Sequence, residues 1–264
     1  MKLLFAIPVL ASVAMAQLLP FNDAGVTMGH VHLNVKDVEV QKKFWIEHFD
    51  ATPLKKEGLP GVKVPGMLIL FSQRPSSGPS EGTIMEHFGF KVRNIQEELK
   101  KFRDEGFVVQ REFKGVEGFP NAYVLGLDEM RFEMQEDTTL PVRAVVNHIH
   151  FISKDADSLI AWYVANFGGH PRKRGSLDTV DISTMNLSFN RVKPETPIVG
   201  TKGRAIDHIG FEVTNLEAFC KQLEAKGIKL DVPYRKIPDL GIAVAFLTDP
   251  QGTYIELTEG LTAY

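Results

Sequence analysis

The chain returns four times to one pattern, and that repeat limits the folds open to it more than any other feature. The copies read GHVHLNVKD from Gly29, EHFGFKVRN from Glu86, NHIHFISKD from Asn147 and DHIGFEVTN from Asp207. Their histidines, His30, His87, His148 and His208, stand 57, 61 and 60 residues apart. A period of this length marks one supersecondary unit in four copies, each burying its apolar face against another. After each histidine, apolar residues alternate with others, the period of a half-buried strand. Asp37, Asn94, Asp155 or Asn215 then stands where a helix N-cap belongs, able to accept from the first free backbone N–H groups. Helical spacing follows in each copy, through Val38, Phe44, Trp45 and Phe49; Ile95, Leu99 and Phe102; Leu159, Trp162, Tyr163 and Phe167; and Leu216, Phe219 and Leu223. Gly106, Gly168 with Gly169, and Gly227 close the last three, as residues that accept positive φ.

Short strand-like runs complete the copies. They are Met67–Phe71 in the first, Ala122–Leu125 and Met130–Met134 in the second, Thr184–Phe189 in the third, and Val244–Leu247 with Thr253–Leu257 in the fourth. Asp249-Pro250-Gln251-Gly252 is a turn signal between the last two. Each module is therefore expected to be a strand, a helix and about three strands. Stretches rich in Pro, Gly and Ser, Arg74–Thr83 and Lys193–Arg204, join modules one to two and three to four. Asp137–Ala144 is the natural joint between two halves, so the expected division is a leader over 1–16, a first domain over 17–140 and a second over 141–264.

The leader is expected from Lys2, the apolar run Leu3 to Val13 and the small-x-small site Ala14-Met15-Ala16 before Gln17. That run is too short, and too interrupted by Pro8, to span a bilayer. The mature chain is expected to be exported, secreted or periplasmic, to start near Gln17, and to have no membrane span. Cys220 is the only cysteine, so no intrachain disulfide can form, and its place on an apolar helix face marks it as a core residue. Net charge is −3, with no basic stripe, which argues against nucleic acid and leaves small molecules as the expected partners.

Histidines repeated on repeated strands suggest metal ligands. The residues HVHLNVKD, HFGFKV, HIHFISKD, HIGFEV and DPQGTYIEL, in this order, resemble the vicinal oxygen chelate superfamily of glyoxalases, bleomycin-resistance proteins, fosfomycin-resistance enzymes and extradiol dioxygenases. The resemblance runs from Gly29 to Glu259. It implies an α+β fold of four βαβββ modules forming two such domains, with paired sheets curled around a metal held by strand histidines and a late glutamate. Carried onto this sequence, the ligands are His30, His87 and Glu133 in the first half and His148, His208 and Glu256 in the second. Modules pairing one with four and two with three would instead join His30 to His208 and Glu256, and His148 to His87 and Glu133. The first half departs from the pattern in its last hairpin, where Gly126-Leu127-Asp128-Glu129 replaces the DPxG turn.

Two neutral imidazoles and a carboxylate suit a hard or borderline divalent cation, Fe2+, Mn2+ or Zn2+, with positions left for water or substrate. His32 and His150 follow two of the ligands by two residues and share their strand face, which makes them candidate proton carriers. Tyr254, two before Glu256, is a further candidate catalytic residue. His48 is expected on a helix and His170 in a loop, neither in the site. The lyases of the resembled family use another glutamate at the end of the first module of each pair, where this chain has MLILF and MNLSF. That departure leans the expected chemistry toward a dioxygenase. A glyoxalase-like lyase or isomerase, and a non-catalytic binder of small molecules, are the alternatives.

Overall fold

The computed structural model describes residues 18–264; the expected leader lies outside them. Module one comprises β1 (Val26–Val35), α1 (Val38–Phe49), β2 (Thr52–Pro53), β3 (Gly61–Val64) and β4 (Met67–Gln73). Module two comprises β5 (Met85–Val92), α2 (Ile95–Asp104), β6 (Val108–Lys114), β7 (Pro120–Leu125) and β8 (Arg131–Glu136). Module three comprises β9 (Ala144–Ser153), α3 (Ala156–Phe167), β10 (His170–Arg174), β11 (Leu177–Ile182) and β12 (Met185–Arg191). Module four comprises β13 (Ile206–Val213), α4 (Leu216–Ala225), β14 (Leu230–Ile237), β15 (Ile242–Thr248) and β16 (Tyr254–Glu259). The α+β class and the fourfold βαβββ plan are therefore as the repeat predicts.

All four expected caps form: Asp37 accepts from the Glu39 and Val40 amides, Asn94 from Glu97, Asp155 from Ser158 and Asn215 from Ala218. Helix α1 lacks a closing glycine and ends on Asp50 at φ 50°, a left-handed position that an aspartate tolerates better than most residues. Cys220 is buried on α4, and burial pushes its thiol up to about 11. His170 lies in β10 rather than in a loop, paired with Asp181 across a hairpin. No helix among the described residues is long and apolar enough to cross a membrane.

The sheets do not follow the division into halves. One has the order β14-β15-β16-β13-β1-β4-β3-β2 and the other β10-β11-β12-β9-β5-β8-β7-β6. Module one thus shares a sheet with module four, and module two with module three, each through an antiparallel pair of histidine strands. The apolar core links the modules the other way. From α1, Trp45 packs on Phe88 and Phe90 of β5 at 5.8 and 5.9 Å, and Phe44 on Phe102 of α2 at 6.0 Å. From α3, Phe167 packs on Phe211 of β13 at 4.8 Å and on Phe219 of α4 at 5.8 Å. Hydrogen bonding joins one to four and two to three, while apolar packing joins one to two and three to four.

Candidate metal centres

The shared sheets decide which histidines meet. In the β1–β13 pair His32 stands opposite His208, and His30 opposite Gly210. Strand β16 runs parallel on the other side of β13, with Glu256 beside Gly210. The second sheet repeats this: His150 faces His87, His148 faces Gly89, and Glu133 of β8 lies beside Gly89. The glycines are required. A Cβ on Gly210 would stand well inside van der Waals contact of His30 Cε1, and one on Gly89 well inside that of His148 Cε1. Register shifts flank both pairs, between Met28 and His30 and between Met85 and His87, and such bulges re-aim the neighbouring side chains.

Two clusters result, His30, His32, His208 and Glu256 in one, and His87, Glu133, His148 and His150 in the other. In each, one donor atom from every residue lies within 4.8 Å of all the rest. Of the two groupings the sequence left open, the clusters follow the one that pairs modules one with four and two with three, so each draws on both halves of the chain. The cause is the crossing of the sheets, which sequence spacing alone does not encode. The departure in the hairpin before Glu133 does not displace that residue from the place matching Glu256.

The clusters match in the spacing and tilt of their imidazole rings. His30 and His208 have ring centroids 5.6 Å apart at 82°, and His148 and His87 5.7 Å apart at 83°. His32 lies 4.6 Å from His208, and His150 lies 4.6 Å from His87. In the first cluster the Nε2 atoms of His30 and His208 both sit 3.0 Å from Glu256 Oε2. In the second, His87 Nε2 sits 3.0 Å and His148 Nε2 3.4 Å from Glu133 Oε2.

Charge follows the same symmetry. Burial and the neighbouring imidazoles hold His32 and His150 well below the ordinary histidine value, and burial lowers His30 and brings His148 down to about 4. Burial also works against charging His208 and His87, but the carboxylates on either side of each ring raise them. Burial would raise Glu256 and Glu133, yet their imidazole partners hold both well below the carboxylate range.

This donor set fits a divalent cation. Bonds of about 2.1 Å at right angles keep neighbouring donors about 3.0 Å apart, the separation that recurs here. His30 Nδ1, His32 Nδ1, His148 Nε2 and both ring nitrogens of His150 are buried without a hydrogen-bond partner. Orphaned imidazole nitrogens around an ionised carboxylate are costly unless a ligand satisfies them. Leu70 stands beside His32, and Ser188 beside His150, as Glu256 stands beside Gly210, so neither cluster gains a second carboxylate from β4 or β12.

Several residues that the sequence did not single out complete the sites. Asp207 Oδ1 is 2.6 Å from His208 Nδ1, while its Oδ2 accepts from Asn34, Arg74 and the Gly203 amide. Burial opposes ionisation of Asp207, but the His208 ring and these donors hold it down at about 2. Glu86 takes the matching place behind His87, at a looser 3.4 Å, and pairs with Arg131. Ser72 Oγ lies 2.8 Å from His32 Nε2, and Asn121 donates to the free oxygen of Glu133. Tyr254, a candidate from the sequence, lies edge-on to His208 at 5.6 Å beneath Lys202, and burial leads the effects that push its phenol up to about 12. In the other site the tyrosine comes from β7: Tyr123 lies 5.0 Å from His87 with Arg131 over its ring.

Cavities open on both clusters. Beside His32 and Glu256 lie a cavity of ≈ 330 Å³, lined by Arg74, Lys202, Asp207 and Tyr254 among others, and a second of ≈ 230 Å³, whose lining includes Leu59, Leu70, Ile242 and Val244. A cavity of ≈ 190 Å³ opens on Glu133 and His150.

Residues 145–257, within modules three and four, match the family described as the Glyoxalase/Bleomycin resistance protein/Dioxygenase superfamily. No curated protein matches the chain by sequence. Among solved structures, glyoxalase I from Zea mays is similar with a TM-score of 0.70 at 16% identity, covering 90% of this chain and 94% of that one. A Bacillus subtilis protein provisionally designated a dioxygenase gives a TM-score of 0.65 at 11% identity, covering 91% of this chain and 86% of its own. At these identities the likeness concerns the fold alone.

Proposed function

With residues 145–257 a domain of the glyoxalase/bleomycin resistance protein/dioxygenase superfamily, and the described chain sharing that fold, we propose that this protein is a metal-dependent enzyme acting on a small oxygen-chelating substrate, with chemistry of the dioxygenase type. The observation that carries this reading is the convergence of two imidazole nitrogens on one carboxylate oxygen, repeated in two related clusters. His30, His208 and Glu256 would hold one ion, and His148, His87 and Glu133 the other. A bound Fe2+, Mn2+ or Zn2+ supplies Lewis acidity to vicinal substrate oxygens. Two histidines and one carboxylate leave an open face, which suits substrate and O₂ together. The apolar residues at Leu70 and the neutral Ser188 favour this over a lyase that needs a second carboxylate.

The chain's own groups supply the rest. His32 is neutral and tied to Ser72, so it can accept a proton from a substrate hydroxyl and pass it toward the Ser72 side of the cavity. Tyr254 stays protonated and can donate to a developing oxyanion. Asp207 fixes the tautomer of His208, keeping its Nδ1 protonated and its Nε2 free to coordinate. We also propose export, on the sequence of residues 1–16 alone.

Metal analysis of purified protein beside His208→Ala and Glu256→Ala tests the reading. Two equivalents in the parent and one in each variant are expected, with iron favouring oxygen chemistry and zinc or manganese the lyase alternative. Folded parent protein that takes up none of the three would leave only a non-catalytic binder.

A further inference from the structure

The second cluster has a neighbour that the reading above does not use. Arg174 ends β10, and its hairpin turns on Gly175 at φ 56°. The side chain is 6% exposed, and its Nε and Nη1 are buried without a hydrogen-bond partner. Its nearest counter-charge is the Glu117 carboxylate, 3.7 Å from Nε, too long for a hydrogen bond and itself accepting from Gln135. Burial lowers the Arg174 pKa, but an arginine starts so high that it stays charged. A guanidinium offers only donors, so the two empty N–H groups of this buried one are open to a further acceptor.

Arg174 lines the ≈ 190 Å³ cavity together with Lys114, Asn121, Tyr123, Glu133 and His150. Lys114 and Arg174 face one carboxylate of the lining, Glu133, while Glu117 stands beside Arg174 outside it. The volume equals roughly six water molecules, room for a compact acid and too little for a long chain. The other site differs here: Arg74 is bound to Asn34 and Asp207, and Lys202 lies over Tyr254.

We propose that the cavity beside Glu133 and His150 is an anion subsite, in which Arg174 receives the carboxylate of a small organic acid while the acid's other oxygens face the metal cluster. The two sites of the chain therefore select different substrates, and only the second requires a negative charge. This rests on the metal-enzyme reading for the role of those other oxygens, but not for the Arg174 contact.

The test is equilibrium titration of the full chain, metal-free and metal-loaded, with lactate and with propane-1,2-diol, its uncharged counterpart, followed by ligand NMR. Lactate should bind the parent saturably in both forms, and Arg174→Met should weaken it by roughly tenfold or more, the loss of a charge-assisted contact. The diol should show no dependence on Arg174. Should the methionine variant fail to fold, Arg174→Lys serves instead; it keeps the charge, loses the planar fork and should weaken lactate to a lesser extent. No saturable lactate binding by the parent, equal affinity in parent and variant, or equal binding of diol and lactate would overturn the proposal. Metal-free titration judges Arg174 even if the protein takes up no metal, so the two readings fail separately.

Discussion

The imidazole of His30 lies over the bare Cα of Gly210, in the space a side chain there would fill. Glu256 flanks the same glycine from the parallel strand, so one residue without a side chain lets two ligands converge. Gly210→Ala is expected to displace His30, abolish metal uptake at that site and cost about 1–3 kcal/mol as an overpacked core position. Metal stoichiometry should fall from two to one, and Gly89→Ala should remove the other equivalent through His148. Unchanged stoichiometry in both variants would show that neither ring is a ligand.

Asp207 and Glu86 back equivalent histidines at different distances, 2.6 Å and 3.4 Å. Losing such an orienting partner weakens metal binding by about 10- to 100-fold. Asp207→Asn should fall in that range at its own site, and Glu86→Gln should have a smaller effect at the other. Competition with a metal indicator, one site at a time in a Gly89→Ala or Gly210→Ala background, reads this directly. An effect of Glu86→Gln equal to or larger than that of Asp207→Asn would refute the distance argument.

His48 reports on the core rather than the site. It stacks on Phe102 at 4.4 Å and meets Glu105 at 3.0 Å. Burial, with repulsion from Lys101 and Arg143, lowers its pKa in spite of Glu105. The unfolded chain therefore takes up this proton first, and stability present above the ordinary histidine value is lost as pH falls toward the folded-state value. Thermal midpoints of His48→Phe should fall less than those of the parent between about pH 7.5 and about pH 5. An equal or steeper fall in the variant would assign the acid sensitivity elsewhere.

Export has its own check. Intact mass of the protein recovered from its native host should correspond to a chain beginning at Gln17. Recovery with Met1 to Ala16 still attached would remove the basis for placing it outside the cytoplasm.

The modules and the histidines were legible because both recur: period-two strands, capped helices and a His on the first strand of each module are local signals. Their partnership was not, since four equivalent modules admit either pairing and the β1–β13 register is a long-range fact. Arg174 was hidden for another reason. The run His170-Pro171-Arg172-Lys173-Arg174 reads as an exposed polar loop, and four of its five residues are indeed exposed. Only the edge-strand hairpin turns the last one inward. Tyr123 and Asn121 likewise come from β7, which lacks the repeated motif, although their alternation placed them on one face.

The crossing of sheets and cores also sets an order of events. β1 finds its hydrogen-bonding neighbour in β13, whose residues pair with it across most of the chain's length. Until module four exists, the inner edge of β1 has no partner, and unpaired edges invite association with other chains. A chain still emerging from its ribosome could pack α1 on β5, yet it would carry an open strand until β13 of module four arrived. Truncation before module four should therefore leave an aggregation-prone chain rather than a smaller working domain.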